Sequence, residues 1–508
     1  MKVLLINPTR TGQDSYISLP LHLVYIATSI VEECNQVEIL DIHYQYVKHK
    51  NHFDSKADYE DKKINEILNK DFDILGIGSI VSAYDFSKRL VNAVRKSRPE
   101  IPVIVGGGMG IALKDLWLDR TDLQYMVESD GELAIKEFIK AHPDRDKIKK
   151  IPGLHVREGN IFVSNKPNLP LNLDFINYPR FDILKDLPDY MEIQKKWLNL
   201  TLPQDLQLSK DDRVLPVVLT RGCPFKCTFC YHVNNLHRKH SIEYILKYFK
   251  HLKDKYSINY LALWDELIIA DKKWLAELCD KLTEKKYGIK IFASGGKPNF
   301  IDREAAKKMK LASMIRISYG IESGSQKMLD VMKKQTTVEE NYRAVKISVE
   351  EGIFTHLNMI AGMPGENAKT LAETSNFLVS LAKEGLISSK NVSFSYATGY
   401  PGTELYNYML KNGHVSDTEK YLLQQSGMID YKYNICGMNK SLLYFMVDYS
   451  LLKVDLYFYL KKKEYSKLLK SLVRGIAKIL KGFVMVALPY GLREKLMSTR
   501  RERRLLRK

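Results

Sequence analysis

Three of the chain's six cysteines fall within eight residues, in the stretch RGCPFKCTFCYH at 221–232, as Cys223, Cys227 and Cys230. The other three, Cys34, Cys279 and Cys436, lie far apart and share no spacing. A disulfide framework would need paired cysteines spread through a small secreted domain. A structural zinc closes with four ligands, and only three stand together here. Three thiolates can instead hold three irons of a [4Fe–4S] cube and leave the fourth iron open to another ligand. The C-x3-C-x2-C spacing therefore implies an iron–sulfur cluster with one open position, with an incomplete zinc site as the plainer alternative. His232, beside the last cysteine, reads equally well as a cofactor contact or an ordinary loop residue. The scattered cysteines read as small buried hydrophobes, and the twelve histidines show no metal spacing.

Such a loop needs a rigid strand behind it, and VLPVVLT at 214–220 supplies one. It opens an alternating series that runs through INYLALWDE, IKIFASGG, MIRISYGIES, FTHLNMIAGMPGE and SFSYATGYPGT. Six strand-like segments separated by helical ones predict a partial (β/α)6 barrel over 206–410, with its site at the carboxyl ends of the strands. Upstream, KVLLI, VEIL, ILGIGS and PVIVGGG alternate with helical stretches at 21–33 and 83–97. That rhythm predicts an α/β fold with a Rossmann-like, doubly wound domain over 1–142. Residues 143–205 read as a linker with a small hairpin near GLHVREGNIFVS, and 411–508 as a helical, basic C-terminal region.

Taken in order, these motifs resemble the radical S-adenosylmethionine (SAM) enzymes over roughly 210–410. That family carries the same cysteine spacing, often with aromatic neighbours of the last cysteine such as Phe229 and Tyr231. The resemblance implies that the open iron chelates SAM, and that reduction releases a 5′-deoxyadenosyl radical. It places Asp265 and Glu266, in LWDE, near the SAM ammonium, since carboxylates suit that charge. Glu322, in GIESGS, would accept from the SAM hydroxyls or ammonium, and Arg316 would meet its carboxylate. Gly362, Pro364 and Gly365, in AGMPGE, would let the backbone approach the adenine side. No residue stands out as a catalytic acid or base.

The N-terminal domain resembles the cobalamin-binding domains that accompany some of these barrels. GSIV (78–81) and the glycines at 106–108 match their landmarks, which implies that Ser79 or Ser82 hydrogen-bonds the cofactor's nucleotide tail and that Gly106 and Gly107 give it room. The D-x-H-x-x-G landmark is absent, because TGQDSYIS at 11–18 has no histidine. Asp41-Ile42-His43 has its first letters after the wrong strand and reads as coincidence. Members that pair the two domains commonly lack that histidine, which implies cobalt without a protein imidazole. VESDGELA (127–134) resembles their acidic turn, and the competing reading is a Rossmann-like domain that binds no cobalamin.

The net charge of +18 points first to nucleic acid, but residues 441–508 hold 17 Lys or Arg against 5 Asp or Glu, an excess of +12. The charge belongs to a tail. Arg474, Lys478 and Lys481 recur at helical spacing among Leu, Ile and Val, and RRERRLLRK follows, a pattern suited to an anionic membrane surface. The apolar centre from Phe483 to Leu488 is too short to span a bilayer, and Pro489 interrupts a helix there. No signal-peptide pattern is read at MKVLLINPTR, which with free thiols implies the cytoplasm, peripheral on the inner membrane face if the tail binds.

The combined expectation is a cobalamin-dependent radical SAM enzyme that methylates an unactivated carbon of a small or lipid-like substrate. A flavodoxin or ferredoxin would supply electrons, and nucleic acid is not the expected partner. The alternatives are a radical SAM cyclase or oxidoreductase without methyl transfer and, from another class, a non-catalytic cluster or cobalamin sensor. A methylthiotransferase would need three more cysteines in the N-terminal domain, which has only Cys34.

Overall fold

A computed structural model describes residues 1–13, 16–78, 80–424 and 431–487. Its first sheet holds β1 (Lys2–Asn7), β2 (Gln36–Asp41), β3 (Ile74–Gly78), β4 (Val103–Gly106), β5 (Tyr125–Val127), β6 (Leu154–Glu158) and β7 (Ile161–Ser164), in the order β2-β1-β3-β4-β5-β6-β7. The first five strands are parallel, and β6 and β7 add antiparallel to the edge. Alternate residues of β1 feed two cores, Leu4 and Ile6 on one face and Val3 and Leu5 on the other. Both faces are covered, so each short strand reads as a continuous apolar run. The strand order reverses between β1 and β3, and a doubly wound sheet opens a ligand crevice at that point.

The hairpin expected in a linker is thus part of the first sheet. The chain divides into two compact units, one of Met1–Ile193, Tyr231–Asn234 and Tyr400–Gly427, the other of Gln194–Cys230, Asn235–Gly399 and Met428–Lys508. The predicted boundaries at 142, 205 and 410 therefore shift. Within the first unit Leu422 is buried in the core beside β1 and β3, and Glu419 bridges Lys88 at 2.7 Å and Arg120 at 3.2 Å.

In the second unit come β8 (Val214–Val217), β9 (Thr220–Arg221), β10 (Arg238–Lys239), β11 (Tyr260–Leu263), β12 (Lys290–Gly296), β13 (Met314–Glu322), β14 (Phe354–Ala361) and β15 (Val392–Tyr396). Six of them form one parallel sheet, β15-β14-β13-β12-β11-β8, the expected half-barrel. Its floor is apolar: Leu198, Leu202 and Leu208 pack on Val214, Tyr260 and Phe292. Helix Lys440–Lys461 docks through buried Asp455, which accepts from Ser389 N at 2.7 Å and Ser389 Oγ at 2.8 Å. Ser471, on helix Tyr465–Ala487, donates to the same carboxylate.

Candidate functional site

The cysteine loop leaves β8 at the carboxyl end of the half-barrel and is held from several sides. β9 and β10 pair antiparallel across its base. Asp265, at the end of β11, accepts from Leu219 N at 2.9 Å, Thr220 Oγ at 2.8 Å and Thr220 N. Within the loop Thr228 N donates to Met332 O at 3.0 Å and Cys230 N to Cys227 O at 3.1 Å. Lys297 lies 3.7 Å from the centre of the Phe225 ring and donates to Lys334 O at 2.7 Å and Gln335 O at 3.0 Å. Burial, with the nearby Lys334 charge, pushes the Lys297 ammonium down to about 8. Cys223, Cys227 and Cys230 are all free of disulfides. Among the described residues no three His, Cys, Asp or Glu converge as a single metal ion would need. Three free thiols on a pinned loop fit a larger cluster that spreads its ligands, with one iron left open.

Facing that loop is a buried ion pair. Lys334 Nζ lies 2.8 Å from Glu322 Oε1, and the two side chains are 12% and 9% exposed. Burial opposes the lysine's charge, but Glu322 and the Cys227 thiol outweigh it and leave its pKa raised. The backbone is strained to build the pair: Glu322 has φ +64, and Lys333 and Gln335 flank Lys334 at φ +52 and +53. Such conformations cost of order 1–3 kcal/mol each and persist where the surroundings enforce them. A Cβ at Gly320 would sit 2.4 Å from Glu322 Oε1 and 2.7 Å from Lys334 Nζ, so a side chain there would displace the ends of the pair. The next residues of GIESGS dock on helix Ala368–Lys383, where Ser323 Oγ meets Thr374 Oγ1 at 2.9 Å.

The other expected cofactor contacts divide. Glu266 is exposed at its strand end, and its charge acts on Cys223. Asp265 is 4% exposed with one oxygen given to the loop, so its first job is to fix the strand ahead of the cysteines. Burial pushes its carboxyl up to about 7, and Oδ2 is buried without a partner. Pro364 and Gly365 stay open, and a Cβ at Gly365 (φ +80) would meet nothing within 4 Å. Gly362 does not offer an open face. The Tyr431 ring fills its Cβ position at 2.5 Å, and Tyr431 Oη donates to Gly362 O at 2.7 Å. Arg316 also departs from expectation, because it lies six residues before Glu322, roughly 20 Å down an extended strand. Lys334 and Lys297 are the cations the sequence reading missed.

In the first unit the crevice lies at the carboxyl ends of β1 and β3. Ser79 lies outside the described residues, as do two residues of TGQDSYIS. Ser82 is buried, and its Oγ has no hydrogen-bond partner. Gly107, at φ +75, turns the chain from β4 into helix Gly108–Ala112, and Gly106 ends β4. Tyr231 belongs to this unit: its ring would lie 3.3 Å from a Cβ at Gly108 and 2.6 Å from one at Gly402. A left-handed glycine turn and an unpaired hydroxyl are what a polar cofactor tail passing close to the backbone needs. Both nearby imidazoles are tied through Nε2. His22 Nε2 bonds Gly78 O at 2.8 Å and His43 Nε2 bonds Tyr16 O at 2.7 Å. Burial lowers both, to about 4 and about 3. Asp41 is likewise structural, accepting from Tyr190 Oη at 2.6 Å and Tyr44 N at 2.8 Å.

Residues 217–378 match the Radical SAM superfamily. A protein of Pyrococcus horikoshii described as an uncharacterized methyltransferase is 28% identical over 424 residues, 81% of this chain and 84% of its own length. An anaerobic magnesium-protoporphyrin IX monomethyl ester cyclase of Rubrivivax gelatinosus is 24% identical over 377 residues, 71% of this chain and 63% of its own. Among solved structures, the cobalamin-dependent S-adenosylmethionine radical enzyme OxsB with aqua-cobalamin bound matches with a TM-score of 0.68, covering 100% of this chain and 80% of that one. At 16% identity that likeness is one of fold.

Proposed function

We propose that the chain, whose residues 217–378 match the Radical SAM superfamily, is a cobalamin-dependent radical SAM enzyme that methylates an unactivated carbon of a small or lipid-like substrate. The observation that carries this is the loop of three free thiols, pinned at the carboxyl ends of a six-stranded half-barrel and faced by the buried Glu322–Lys334 pair. With a [4Fe–4S] cluster, SAM and methylcobalamin bound, an electron from a flavodoxin- or ferredoxin-type donor starts radical cleavage of SAM, one substrate hydrogen is removed, and a methyl group takes its place.

The chain's own residues hold, orient and screen. Cys223, Cys227 and Cys230 are the cluster ligands, and Asp265, Lys297 and Phe225 fix the loop they stand on. Glu266 and the second oxygen of Glu322 are acceptors for an ammonium or hydroxyls, and Lys334 offsets negative charge at Cys227 and Cys230. Pro364 and Gly365 leave backbone open to a flat ring, and the apolar floor keeps water from the lower half-barrel. In the first unit Gly106, Gly107 and the unpaired Ser82 hydroxyl are the seat proposed for cobalamin, with Tyr231 as a wall.

The cobalamin seat has its own test. The anaerobically prepared chain is expected to bind hydroxocobalamin near stoichiometrically, and the reduced cofactor to show no nitrogen splitting from a protein imidazole. Gly107→Val, which forces a β-branched residue to φ +75, is expected to weaken binding by roughly tenfold or more. Imidazole splitting would contradict the reading. Cluster-dependent release of 5′-deoxyadenosine with no cobalamin binding would favour a radical reaction without methyl transfer, the reading that the cyclase relative supports.

A peripheral, cytoplasmic-side attachment to anionic membrane is part of the same proposal. Tyr465, Leu469, Val473, Ile476 and Leu480 recur at steps of four, four, three and four on the last helix, each between 51% and 65% exposed. Lys467, Lys470 and Arg474 flank this stripe, while the side chains of Lys478 and Lys481 lie outside the described residues. An apolar stripe edged by cations matches an interfacial helix, each cation adding ~1 kcal/mol near anionic headgroups. No described helix is long and apolar enough to cross a membrane. The full chain is expected to co-sediment with phosphatidylserine vesicles and not with neutral ones. Leu469→Gln, Val473→Gln and Ile476→Gln together should abolish that pelleting with unchanged melting. Equal pelleting by both proteins, or salt-sensitive retention on RNA in place of vesicles, would end the membrane reading.

A further inference from the structure

The concave face of the half-barrel holds a cation that no described residue answers. On β13, Tyr319 points to the helical side, where its hydroxyl meets Ser348 at 2.7 Å. Alternation then turns Arg316 to the concave side. Register agrees, since Arg316 stands level with Phe292 on β12 and Phe354 on β14, both packed in or against the apolar floor. Arg316 keeps partial exposure there, and its Nε is buried with no partner. Its guanidinium makes no salt bridge or hydrogen bond with any described residue, and desolvation pushes it down to about 10. Glu322, the acid at the carboxyl end of the same strand, is taken by Lys334.

The neighbours above Arg316 are polar and neutral. His356 is 7% exposed, its Nε2 lies 3.1 Å from Ser393 Oγ, and its Nδ1 is buried without a partner. Burial and the Arg316 charge push its imidazole down to about 3, so it adds no charge near neutral pH. Ser393 Oγ donates to Asn358 Oδ1 at 3.2 Å, which leaves the amide nitrogen of the exposed Asn358 free to donate.

A desolvated charge without a counter-ion costs stability, and an apolar side chain of the same size would serve a purely structural floor better. We propose that the lumen of the half-barrel is the substrate channel, and that Arg316 is the counter-charge for a carboxylate at the far end of the substrate. This deepens the radical SAM reading and rests on it for the position of the reacting carbon. One formal positive charge beside neutral donors matches a monoanion, and a carboxylate suits the guanidinium fork. A phosphate dianion would leave charge over. The depth sets the shape as well. From Arg316 to Glu322 is roughly 20 Å of strand, so with the arginine reaching upward the carboxylate lies on the order of 10 Å from the carbon that reacts.

The test needs no substrate and no turnover. The cluster-loaded full chain is melted anaerobically with propionate, with propionamide and with inorganic phosphate, each at equal ionic strength. Propionate is expected to raise the melting temperature and propionamide not. In Arg316→Met the difference between acid and amide should vanish, and in Arg316→Lys it should shrink but persist. Without any ligand Arg316→Met is expected to melt a few degrees above the parent chain, because an unanswered charge has gone. A lower melting point would make Arg316 a structural cation and overturn the proposal. So would an acid preference that survives in Arg316→Met or is absent from the parent chain. A larger Arg316-dependent shift with phosphate would overturn the carboxylate. A parent chain that binds propionate through Arg316 yet never releases 5′-deoxyadenosine would sink the radical reading and leave the anion site standing, and the converse result would do the opposite.

Discussion

Changing Cys223, Cys227 or Cys230 to alanine is expected to remove the cluster and with it all reductive cleavage of SAM. The parent chain, prepared without oxygen, should be brown and hold about four irons. Two thiolates cannot hold three irons of the cube, so each single variant should lose most of its iron rather than a quarter, and 5′-deoxyadenosine should fall below detection. The contrast lies in the remaining cysteines. Cys279 is fully buried on a helix of the half-barrel, Cys34 packs against the first unit's core, and Cys436 sits in a turn with its Sγ 3.6 Å from Asn434 Oδ1. Alanine at these three positions should leave iron content and cleavage unchanged. Iron content and product, measured on the same preparations, decide the matter: full cleavage by a variant of the 223–230 set would sink the cluster assignment. Loss of iron from Cys279→Ala with unchanged melting would mean that the ligand set has been misread.

The contrast between those two sets of cysteines was legible in the sequence because cluster ligands sit close together on one loop, where spacing alone exposes them. The strands were legible for a related reason. Each parallel strand is covered on both faces, so VLPVV, LALW or IRISYGI stands out as an apolar run closed by glycine or an acid. What the sequence could not show depends on contacts across the fold. Lys334 stands in MKKQTT, which reads as a solvated charge run until β13 and the following helix bring it onto Glu322. Lys297 looks like any lysine before a proline, yet it is 4% exposed under the cysteine loop. Gly362 was read as space for a ligand, but Tyr431, sixty-nine residues on, fills that space. β5 has only three residues and fell below the pattern, and Tyr400–Gly427 continues the barrel's sequence rhythm while belonging to the first unit. Arg316 was read as a partner for the SAM carboxylate, and its lack of a counter-ion among the described residues, which only the fold shows, was not legible.

The pair formed by Glu322 and Lys334 gives the second large expected effect, and it separates a scaffold role from a cofactor role. Removing one partner of a buried ion pair strands the other charge, and costs about 3–5 kcal/mol. Lys334→Met and Glu322→Gln should therefore each lower the denaturation midpoint sharply. In the double variant neither charge is left unanswered, and a matched apolar or neutral replacement of a buried pair is close to neutral in stability, so the midpoint should return most of the way. Activity should not follow. If Glu322 accepts from SAM while Lys334 offsets charge at the cysteine loop, both groups act on bound cofactor, and preorganised charges of this kind contribute roughly 10²–10³-fold each. The double variant should then be a stable, iron-loaded protein whose cleavage of SAM remains at least roughly 100-fold down, with SAM binding weakened in equilibrium dialysis. Iron content is the control, since Lys334 also acts electrostatically on Cys227 and Cys230. Should the double variant recover cleavage together with stability, the pair is a strut that shapes the strand end, and the cofactor contacts must be sought at Glu266 and the open backbone of Pro364 and Gly365.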